Sequence, residues 1–240
     1  MRKEVKPFSS EGSKSQQVEK MFDEISHRYD FLNHFLSMGI DRSWRRKAID
    51  LLKDIQPKSI LDVATGTGDL AIEALRLNPD RIIGVDISEK MLEVGREKMW
   101  EHGYKNITLQ RGDSMALQFS DGEFDAVTVA FGVRNFENLE KGLREIKRVL
   151  RPGGKAVILE FSKPHVFPIK QLFGFYSKYI LPLWGKLFSG SEAAYRYLPE
   201  SVKHFPEGKE MKEILLKCGY KTADFKRLTF GICTVYTAMV

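Results

Sequence analysis

The sequence predicts an α/β fold: a doubly wound, mostly parallel seven-stranded sheet with an antiparallel edge, an N-terminal helical cover and a helical insertion after the fifth strand. Three observations predict it. Short apolar runs alternate with longer amphipathic segments between residues 59 and 161, as in parallel β–α–β units. The first apolar run ends in a glycine-rich turn at 64–69, and a helical pattern follows at once. The last two runs flank a short turn at Gly231, which predicts an antiparallel pair.

The composition is ordinary for a globular protein. The chain has 240 residues, of which 42% are hydrophobic and 29% charged, so we expect one large domain. Its net charge of +6 is too small to indicate a dedicated nucleic-acid binder, although it suits an anionic membrane or an acidic ligand. We see neither a secretory signal nor a spanning segment. Cys218 and Cys233 lack metal-ligand spacing, so we expect no metal and a reduced, cytoplasmic protein.

The chain divides into a tail and one domain. Residues 1–15 are polar without periodicity and predict a mobile tail, followed by a single domain at 16–240. Within that domain, residues 16–57 carry apolar side chains at helical spacing in two segments, which predicts the helical cover. Gly39 separates the two segments, and Asp41 is predicted to cap the second helix.

The following chain alternates between predicted strands and helices. Ser88 is predicted to cap the helix after the second strand, because its hydroxyl can accept from a free amide of the first turn. The predicted strands are 59–64, 81–86, 106–111, 124–131, 155–161, 220–228 and 232–239, and the predicted helices are 70–77, 89–102, 138–150 and 207–218.

The helical insertion or substrate lid is predicted at 164–206. Its first part, 164–190, is dense in aromatic residues and punctuated by Lys170, Lys178 and Lys186. The apolar side chains could wall a groove for a lipid tail, and the lysines could rest on anionic headgroups. A buried helix pair or a homodimer interface accounts for the same composition equally well.

The glycine-rich turn carries the first chemical signal. Gly66 and Gly68 let the backbone approach a ligand closely, and a helix N-terminus follows. Asp86, 20 residues after Gly66, can accept from both ribose hydroxyls of an adenosine ligand. A pyrophosphate requires amides without nearby anions, whereas Asp62 and Asp69 bracket this turn. Two carboxylates favour S-adenosylmethionine, whose sulfonium and ammonium groups are cationic, over NAD.

A second polar group follows the third predicted strand. Asp113 could accept from an adenine amino group, and the amide of Ser114 could serve a ring nitrogen. The other interpretation is an ordinary aspartate in a turn.

Longer stretches resemble a known family. The turn at 62–69 is similar to the Rossmann-like class I S-adenosylmethionine-dependent methyltransferases. Residues 29–44 and 148–162 resemble the two signatures of the ubiquinone/menaquinone biosynthesis C-methyltransferases, and 131–135 and 195–201 also resemble that family. The similarity runs from about residue 18 to the C-terminus. One departure is Asp41, which stands where the family usually has His.

The resemblance implies an activity and a set of ligands. The family methylates a ring carbon of a polyprenylated benzoquinol or naphthoquinol, so the expected cofactor is S-adenosylmethionine and the expected partner is a polyprenyl quinol. Carried over by position, Thr67, Asp86, Asp113 and Ser114 would contact the cofactor. Together with the residues of the turn, the predicted cofactor-binding set is Asp62, Gly66, Thr67, Gly68, Asp86, Asp113 and Ser114.

Carbon methylation also needs a proton to leave the quinol. Arg134 follows the fourth strand, where it could stabilise a developing phenolate or hold a water that takes the proton. Asn135 could orient a ring oxygen, and Tyr29 with Asp30 could complete the pocket from the N-terminal cover. The predicted catalytic residues are therefore Arg134, Asn135 and Tyr29.

Other functions remain open at this stage. One is a class I methyltransferase for RNA or another small molecule, although no basic stripe with stacking aromatics indicates nucleic-acid binding. Another is a non-catalytic scaffold that binds a quinone or an adenosyl ligand, against which the intact turn and Arg134 argue. The quinol ring, its tail length, the oligomeric state and a peripheral contact with the inner face of the membrane are left undecided by the sequence.

Overall fold

The described residues contain one mixed β-sheet. The computed structural model describes residues 5–8, 12–176, 179 and 192–240. The strands are β1 (Ser59–Val63), β2 (Arg81–Asp86), β3 (Ile107–Arg111), β4 (Phe124–Ala130), β5 (Leu150–Phe161), β6 (Thr222–Leu228) and β7 (Cys233–Met239).

The strand order confirms the predicted fold class. The order is β3-β2-β1-β4-β5-β7-β6, with β1 to β5 parallel and β7 antiparallel to both β5 and β6. The chain runs outward from β1 to β3 and then returns to pair β4 on the other side of β1. A crevice therefore opens at the carboxyl ends of β1 and β4, which is where ligands bind in sheets of this kind.

Helices cover the sheet. Ser88 caps α4 as predicted, because its Oγ accepts from the amide of Met91. The fifth strand begins earlier than predicted, since a register shift against β4 lets the glycine turn at 152–154 lie inside the strand. The helices are α1 (Lys14–Leu36), α2 (Ile40–Asp50), α3 (Asp69–Ala74), α4 (Glu89–Glu101), α5 (Leu139–Val149), α6 (Ile169–Phe175), α7 (Glu192–His204) and α8 (Lys209–Lys217).

The predicted cap of α2 is wrong. Gly39 occupies the N-cap with φ of 74°, a left-handed conformation that suits glycine, and no side chain caps the helix. Asp41 lies inside the first turn and is buried. Its carboxylate accepts from Ser37 Oγ at 2.7 Å and from Arg45 Nη1 at 2.5 Å. Arg45, one helical turn onward, holds the carboxylate in the interior and away from the free amides.

Helix α1 is fastened across the carboxyl ends of the parallel strands. Lys14 Nζ donates to the carbonyls of Arg134, at 2.8 Å, and Phe136. Further along the helix, Asp23 Oδ1 accepts from Ser88 Oγ at 2.6 Å. These contacts place α1 as a cover over the crevice.

The division into tail, cover and lid stays a prediction. Of the predicted tail, residues 1–4 and 9–11 lie outside the described part of the chain, as do residues 177, 178 and 180–191 of the insertion. Over the ranges that are described, no helix combines the length and the apolar character needed to cross a bilayer.

Candidate active site

A cavity lies between α1 and the carboxyl ends of the parallel strands, and we call it the strand-end cavity. It brings together residues that are far apart in the sequence. Asp86 comes from the end of β2, and Asp113 comes from the loop after β3. The cavity is lined by Ser15, Val18, Phe22, Tyr29, Val63, Ala64, Gly66, Val85, Asp86, Ile87, Met91, Gly112, Asp113, Ser114, Ala130, Phe131, Gly132, Asn135 and Phe136.

Asp86 organises the polar end of the strand-end cavity. Its side chain is 9% exposed, and its two oxygens accept from the amides of Gly66 at 2.8 Å and Ser88 at 2.9 Å. Burial raises the pKa of Asp86, while the backbone amides of Ser88, Gly66 and Ile87 favour the ionised form. A carboxylate has about four lone-pair sites, so it can also accept from a ligand.

The two glycines of the turn have different surroundings. Gly66 has φ of 57° and lines the cavity, and a Cβ there would lie 3.1 Å from Met91 Cε. A Cβ at Gly68 would lie 2.5 Å from Met99 Cε, so this glycine lets the turn pack on α4 and does not line the cavity. Gly66 thus offers its backbone to a ligand, and the predicted contact of Gly68 with the cofactor stays a prediction.

Asp62 lies beneath the turn. Its carboxylate is 1% exposed and accepts from Thr65 Oγ1 at 2.6 Å and Thr128 Oγ1 at 2.7 Å. Burial raises the pKa of Asp62 to about 6, although both hydroxyls oppose the shift. Asp62 is not among the residues that line the cavity, so its predicted contact with the cofactor stays a prediction.

We expect Asp62→Asn to stabilise the protein above pH 6. The folded pKa of about 6 exceeds the unfolded value, so the ionised carboxylate costs stability at high pH, and that cost disappears as the pH falls from 6 to 4. The asparagine, which never ionises, should raise the free energy of unfolding at pH 8 by up to about 3 kcal/mol. Urea unfolding between pH 4 and pH 8 measures the difference. A gain that does not shrink at pH 4 would refute this assignment.

Asp69 supported the charge argument from the sequence, but its carboxylate does not line the strand-end cavity and contacts basic side chains. Thr67 Oγ1 donates to Asp30 Oδ1 at 2.5 Å, and Lys98 Nζ bridges Asp30 and Asp69 at 2.5 and 2.9 Å. Arg45 Nη2 lies 3.1 Å from the carboxylate of Asp69. Although burial favours the neutral acid, Arg45 and Lys98 lower the pKa of Asp69.

The sequence argument counted Asp69 as an anion beside the ligand, but this carboxylate is paired with basic side chains and does not line the strand-end cavity. Its charge is balanced by long side chains from α2 and α4, and sequence spacing does not reveal such partners. Thr67 belongs to the same network and does not line the strand-end cavity, so its predicted contact with the cofactor also stays a prediction. Together the network ties the turn to the helical cover.

The lining still favours a cationic ligand, through a different pair of carboxylates. Asp86 and Asp113 line the strand-end cavity, and no Lys or Arg does so among the described residues. A pyrophosphate would meet two anions and no cation there, whereas a sulfonium and an ammonium group would be attracted. The carboxylate of Asp86, the open backbone at Gly66 and the polar loop at Asp113 and Ser114 thus fit S-adenosylmethionine.

A second, apolar cavity of about 550 Å³ adjoins the first. Tyr29 and Phe131 line both cavities, so the two meet there. Phe131 stacks on Phe161 at 4.4 Å between ring centroids, and Trp44 packs against both rings. The other residues that line the apolar cavity are Asn33, Ser37, Met38, Ile40, Asp41, Arg45, Arg134, Lys163, Ile169, Leu172, Phe173, Gly174, Tyr176, Leu198, Pro199, Val202, Lys203, Thr229 and Ile232.

Arg134 is one of the charged side chains that line the apolar cavity. The side chain is 7% exposed, and its Nη1 donates to Glu160 Oε1 at 2.8 Å and to the carbonyl of Phe131. Within the described part of the chain, its Nε is buried and has no hydrogen-bond partner. A buried N–H without an acceptor is costly, and the arginine side chain itself lines the apolar cavity.

The other two predicted catalytic residues lie nearby. Tyr29 stands at the junction of the cavities, and burial raises the pKa of its phenol, which keeps it neutral. Asn135 lines the strand-end cavity, and its Oδ1 accepts from Tyr197 at 3.1 Å. The roles of Tyr29 and Asn135 stay predictions, but the fold brings both to one place with Arg134.

Sequence reasoning missed several residues of the site. Glu160 pairs with Arg134, and Trp44, Thr229 and Ile232 line the apolar cavity. A signal was present only for Glu160, because a carboxylate within an apolar strand requires a buried partner.

Comparisons with known proteins agree with this geometry. A family model described as "ubiE/COQ5 methyltransferase family" matches residues 10–240. A "Demethylmenaquinone methyltransferase" of Bacteroides fragilis is 56% identical over 236 residues, which covers 98% of this chain and 96% of that protein. A "Ubiquinone/menaquinone biosynthesis C-methyltransferase UbiE" of Geobacter sulfurreducens is 45% identical over 227 residues, or 93% of this chain and 88% of that protein.

Solved structures agree on the fold. A crystal structure from Thermotoga maritima, described as an S-adenosylmethionine-dependent methyltransferase and possible histamine N-methyltransferase, has a TM-score of 0.64 at 17% identity. It covers 92% of this chain and 98% of its own. From the family match and the close relatives, the chain belongs to the ubiE/COQ5 methyltransferase family and is an S-adenosylmethionine-dependent methyltransferase.

Proposed function

We propose that this protein methylates a ring carbon of a polyprenylated quinol, with demethylmenaquinol as the acceptor. The observation that carries the proposal is the junction of a cavity lined by two carboxylates with a large apolar one at Tyr29 and Phe131. A cofactor in the first cavity and a ring in the second would meet at that point. The relative from Bacteroides fragilis, at 56% identity, supports the choice of acceptor by its name.

The chemistry requires alignment and the removal of a proton. S-adenosylmethionine supplies an activated methyl group, whose bond to sulfur breaks as the ring carbon forms the new bond. Loss of the quinol hydroxyl proton makes the adjacent ring carbon more nucleophilic, and the ring carbon then loses its own proton as aromaticity returns. Holding the reactants in line can supply about 7–11 kcal/mol of the barrier.

Arg134 acts on the ring oxygen. Its guanidinium lies at the wall of the apolar cavity and stabilises the phenolate that forms as the hydroxyl proton leaves. A guanidinium does not deprotonate in proteins, so the proton passes to water at the ring oxygen rather than to Arg134. Tyr29 packs beside the ring as a neutral phenol.

The apolar cavity holds the ring and the first part of the tail. Its volume of about 550 Å³ is within the usual range for ligand pockets. Aromatic and aliphatic side chains from α2, α6 and α7 line it, and they exclude water from the developing phenolate.

A competition assay tests the acceptor. The purified protein is incubated with S-adenosylmethionine and an equimolar mixture of short-tailed demethylmenaquinol and the corresponding benzoquinol precursor. The proposal predicts menaquinol as the main product. Exclusive methylation of the benzoquinol, or of neither ring, would contradict it.

We also propose that the protein touches the membrane that holds its substrate. Helix α6 is apolar on two sides: Ile169 and Phe173 line the apolar cavity, while Phe167, just before the helix, and Phe175 within it are more than half exposed. Lys170 is exposed between them. Exposed aromatics beside a cation suit insertion among anionic headgroups.

The double change Phe167→Asp with Phe175→Asp tests this contact. We expect at least about tenfold weaker binding to phosphatidylglycerol vesicles, because burial of each phenylalanine contributes about 1.5–3 kcal/mol. Co-sedimentation measures it. Trp100→Asp is the matched control, since Trp100 is 83% exposed but lies on α4, and it should bind as the wild type does. Equal binding by the double variant, or no binding by the wild type, would refute the proposal.

A further inference from the structure

Glu160 is a buried carboxylate to which the mechanism above gives no role. It lies near the carboxyl end of β5, its side chain has 0% exposed surface, and it lines neither cavity. A carboxylate inside a sheet is costly unless its oxygens are hydrogen-bonded and its charge is paired. Its partners therefore indicate its role.

Most contacts of this carboxylate go to a single residue. Oε1 accepts from Arg134 Nη1 at 2.8 Å, and Oε2 accepts from the backbone amide of Arg134 at 3.3 Å. The remaining contact is local, from the amide of Phe161 to Oε1 at 2.9 Å. Glu160 thus holds Arg134 at both its backbone and its guanidinium.

A second contact fixes the plane of the guanidinium. Arg134 Cζ lies 5.6 Å from the ring centroid of Phe161, the residue that follows Glu160 on β5. The same ring stacks on Phe131, which lines both cavities. With Nη1 and the ring contact both fixed, the guanidinium has one orientation at the wall of the apolar cavity.

We infer that Glu160 is a positioning residue for methyl transfer: it holds the guanidinium of Arg134 at the wall of the apolar cavity, beside the ring oxygen of the quinol. This inference rests on the proposed function, because only a bound quinol presents that oxygen. Glu160 touches neither substrate nor cofactor, and its whole effect passes through Arg134.

A double-mutant cycle separates this role from a merely structural one. Glu160→Gln should lower kcat about 10- to 100-fold, the usual cost of losing a group that orients a functional side chain, with little change in cofactor affinity. In an Arg134→Met background the same change should alter kcat by less than about threefold, because the residue that it positions is gone.

Glu145→Gln is the matched control. Glu145 also pairs with an arginine, Arg148 at 2.9 Å, and also accepts from a backbone amide, that of Leu117 at 3.0 Å. It lines neither cavity, so kcat should stay at the wild-type value.

The outcomes are distinct. Wild-type kcat for Glu160→Gln, or an equal loss in both backgrounds, would overturn the inference. Where Glu160→Gln alone fails to fold, Arg134→Met is compared with the double variant Arg134→Met/Glu160→Gln, which has neither the buried guanidinium nor the buried carboxylate. Equal kcat in these two variants supports the inference, and a lower kcat in the double variant overturns it. If the wild type itself transfers no methyl group to a quinol, the proposed function fails instead.

Discussion

Arg134→Met should reduce kcat for quinol methylation by about 10²–10³-fold, the usual cost of removing one donor to a developing oxyanion. Methionine retains much of the apolar stem, and Arg134 does not line the strand-end cavity. The dissociation constant for S-adenosylmethionine should therefore stay close to that of the wild type. Steady-state kinetics with a short-tailed quinol and titration calorimetry measure the two quantities.

The same change leaves Glu160 buried without its counter-charge. Burial already raises the pKa of Glu160, and Arg134 opposes this shift. Without the arginine the folded pKa rises further above the unfolded value, so the variant should lose stability as the pH rises and recover it as the pH falls. Kinetics should accordingly be measured where the variant is folded. Near-normal turnover by a folded variant would contradict the role of Arg134.

Asp86→Ala should weaken binding of S-adenosylmethionine about 10²–10⁴-fold. The carboxylate offers an acceptor to each ribose hydroxyl, and hydrogen bonds to a charged group contribute about 1.5–3 kcal/mol each. The alanine also leaves the amides of Gly66 and Ser88 without their acceptor, which loosens the turn. Calorimetric titration measures the affinity.

Asp80→Asn is the control for Asp86. Asp80 lies just before the opposite end of the same strand, its side chain is 77% exposed, and its contact with Lys58 is long at 3.9 Å. The affinity of the Asp80→Asn variant for the cofactor should match that of the wild type. The milder Asp86→Asn variant keeps one acceptor oxygen, and we expect its affinity for the cofactor to lie between those of the alanine variant and the wild type. Unchanged affinity in a folded Asp86→Ala variant would remove Asp86 from the cofactor site.

The fold was predictable because its signals are local. The buried parallel strands are continuous apolar runs, and caps such as Ser88 need only neighbouring residues. Local signals also failed in identifiable places. Asp41 has the residue type and position of a cap, but Arg45 draws its carboxylate inward. The start of β5 was predicted too late, because a register shift accommodates the glycine turn within the strand.

The residues of the candidate site were predictable from the sequence where they lie at the carboxyl ends of strands. Asp86 ends a strand and Asp113 and Arg134 follow strands, and the topology of the sheet brings them to one edge. Ion pairs between distant segments were not predictable, since no periodicity encodes them. Arg134 with Glu160 and Asp69 with Lys98 are 26 and 29 residues apart in the chain. The sequence inferred a cationic ligand from Asp62 and Asp69, whereas the carboxylates in the lining are those of Asp86 and Asp113.

The most direct test of the account is the position of the transferred methyl group. The protein is incubated with S-adenosylmethionine that carries an isotope label in its methyl group and with short-tailed demethylmenaquinol, and the product is analysed by NMR spectroscopy and mass spectrometry. The account predicts one labelled methyl group on the ring carbon for each S-adenosylhomocysteine formed, and a rate reduced 10²–10³-fold by Arg134→Met. A label on a ring oxygen, or binding of the cofactor without transfer to the quinol, would contradict it.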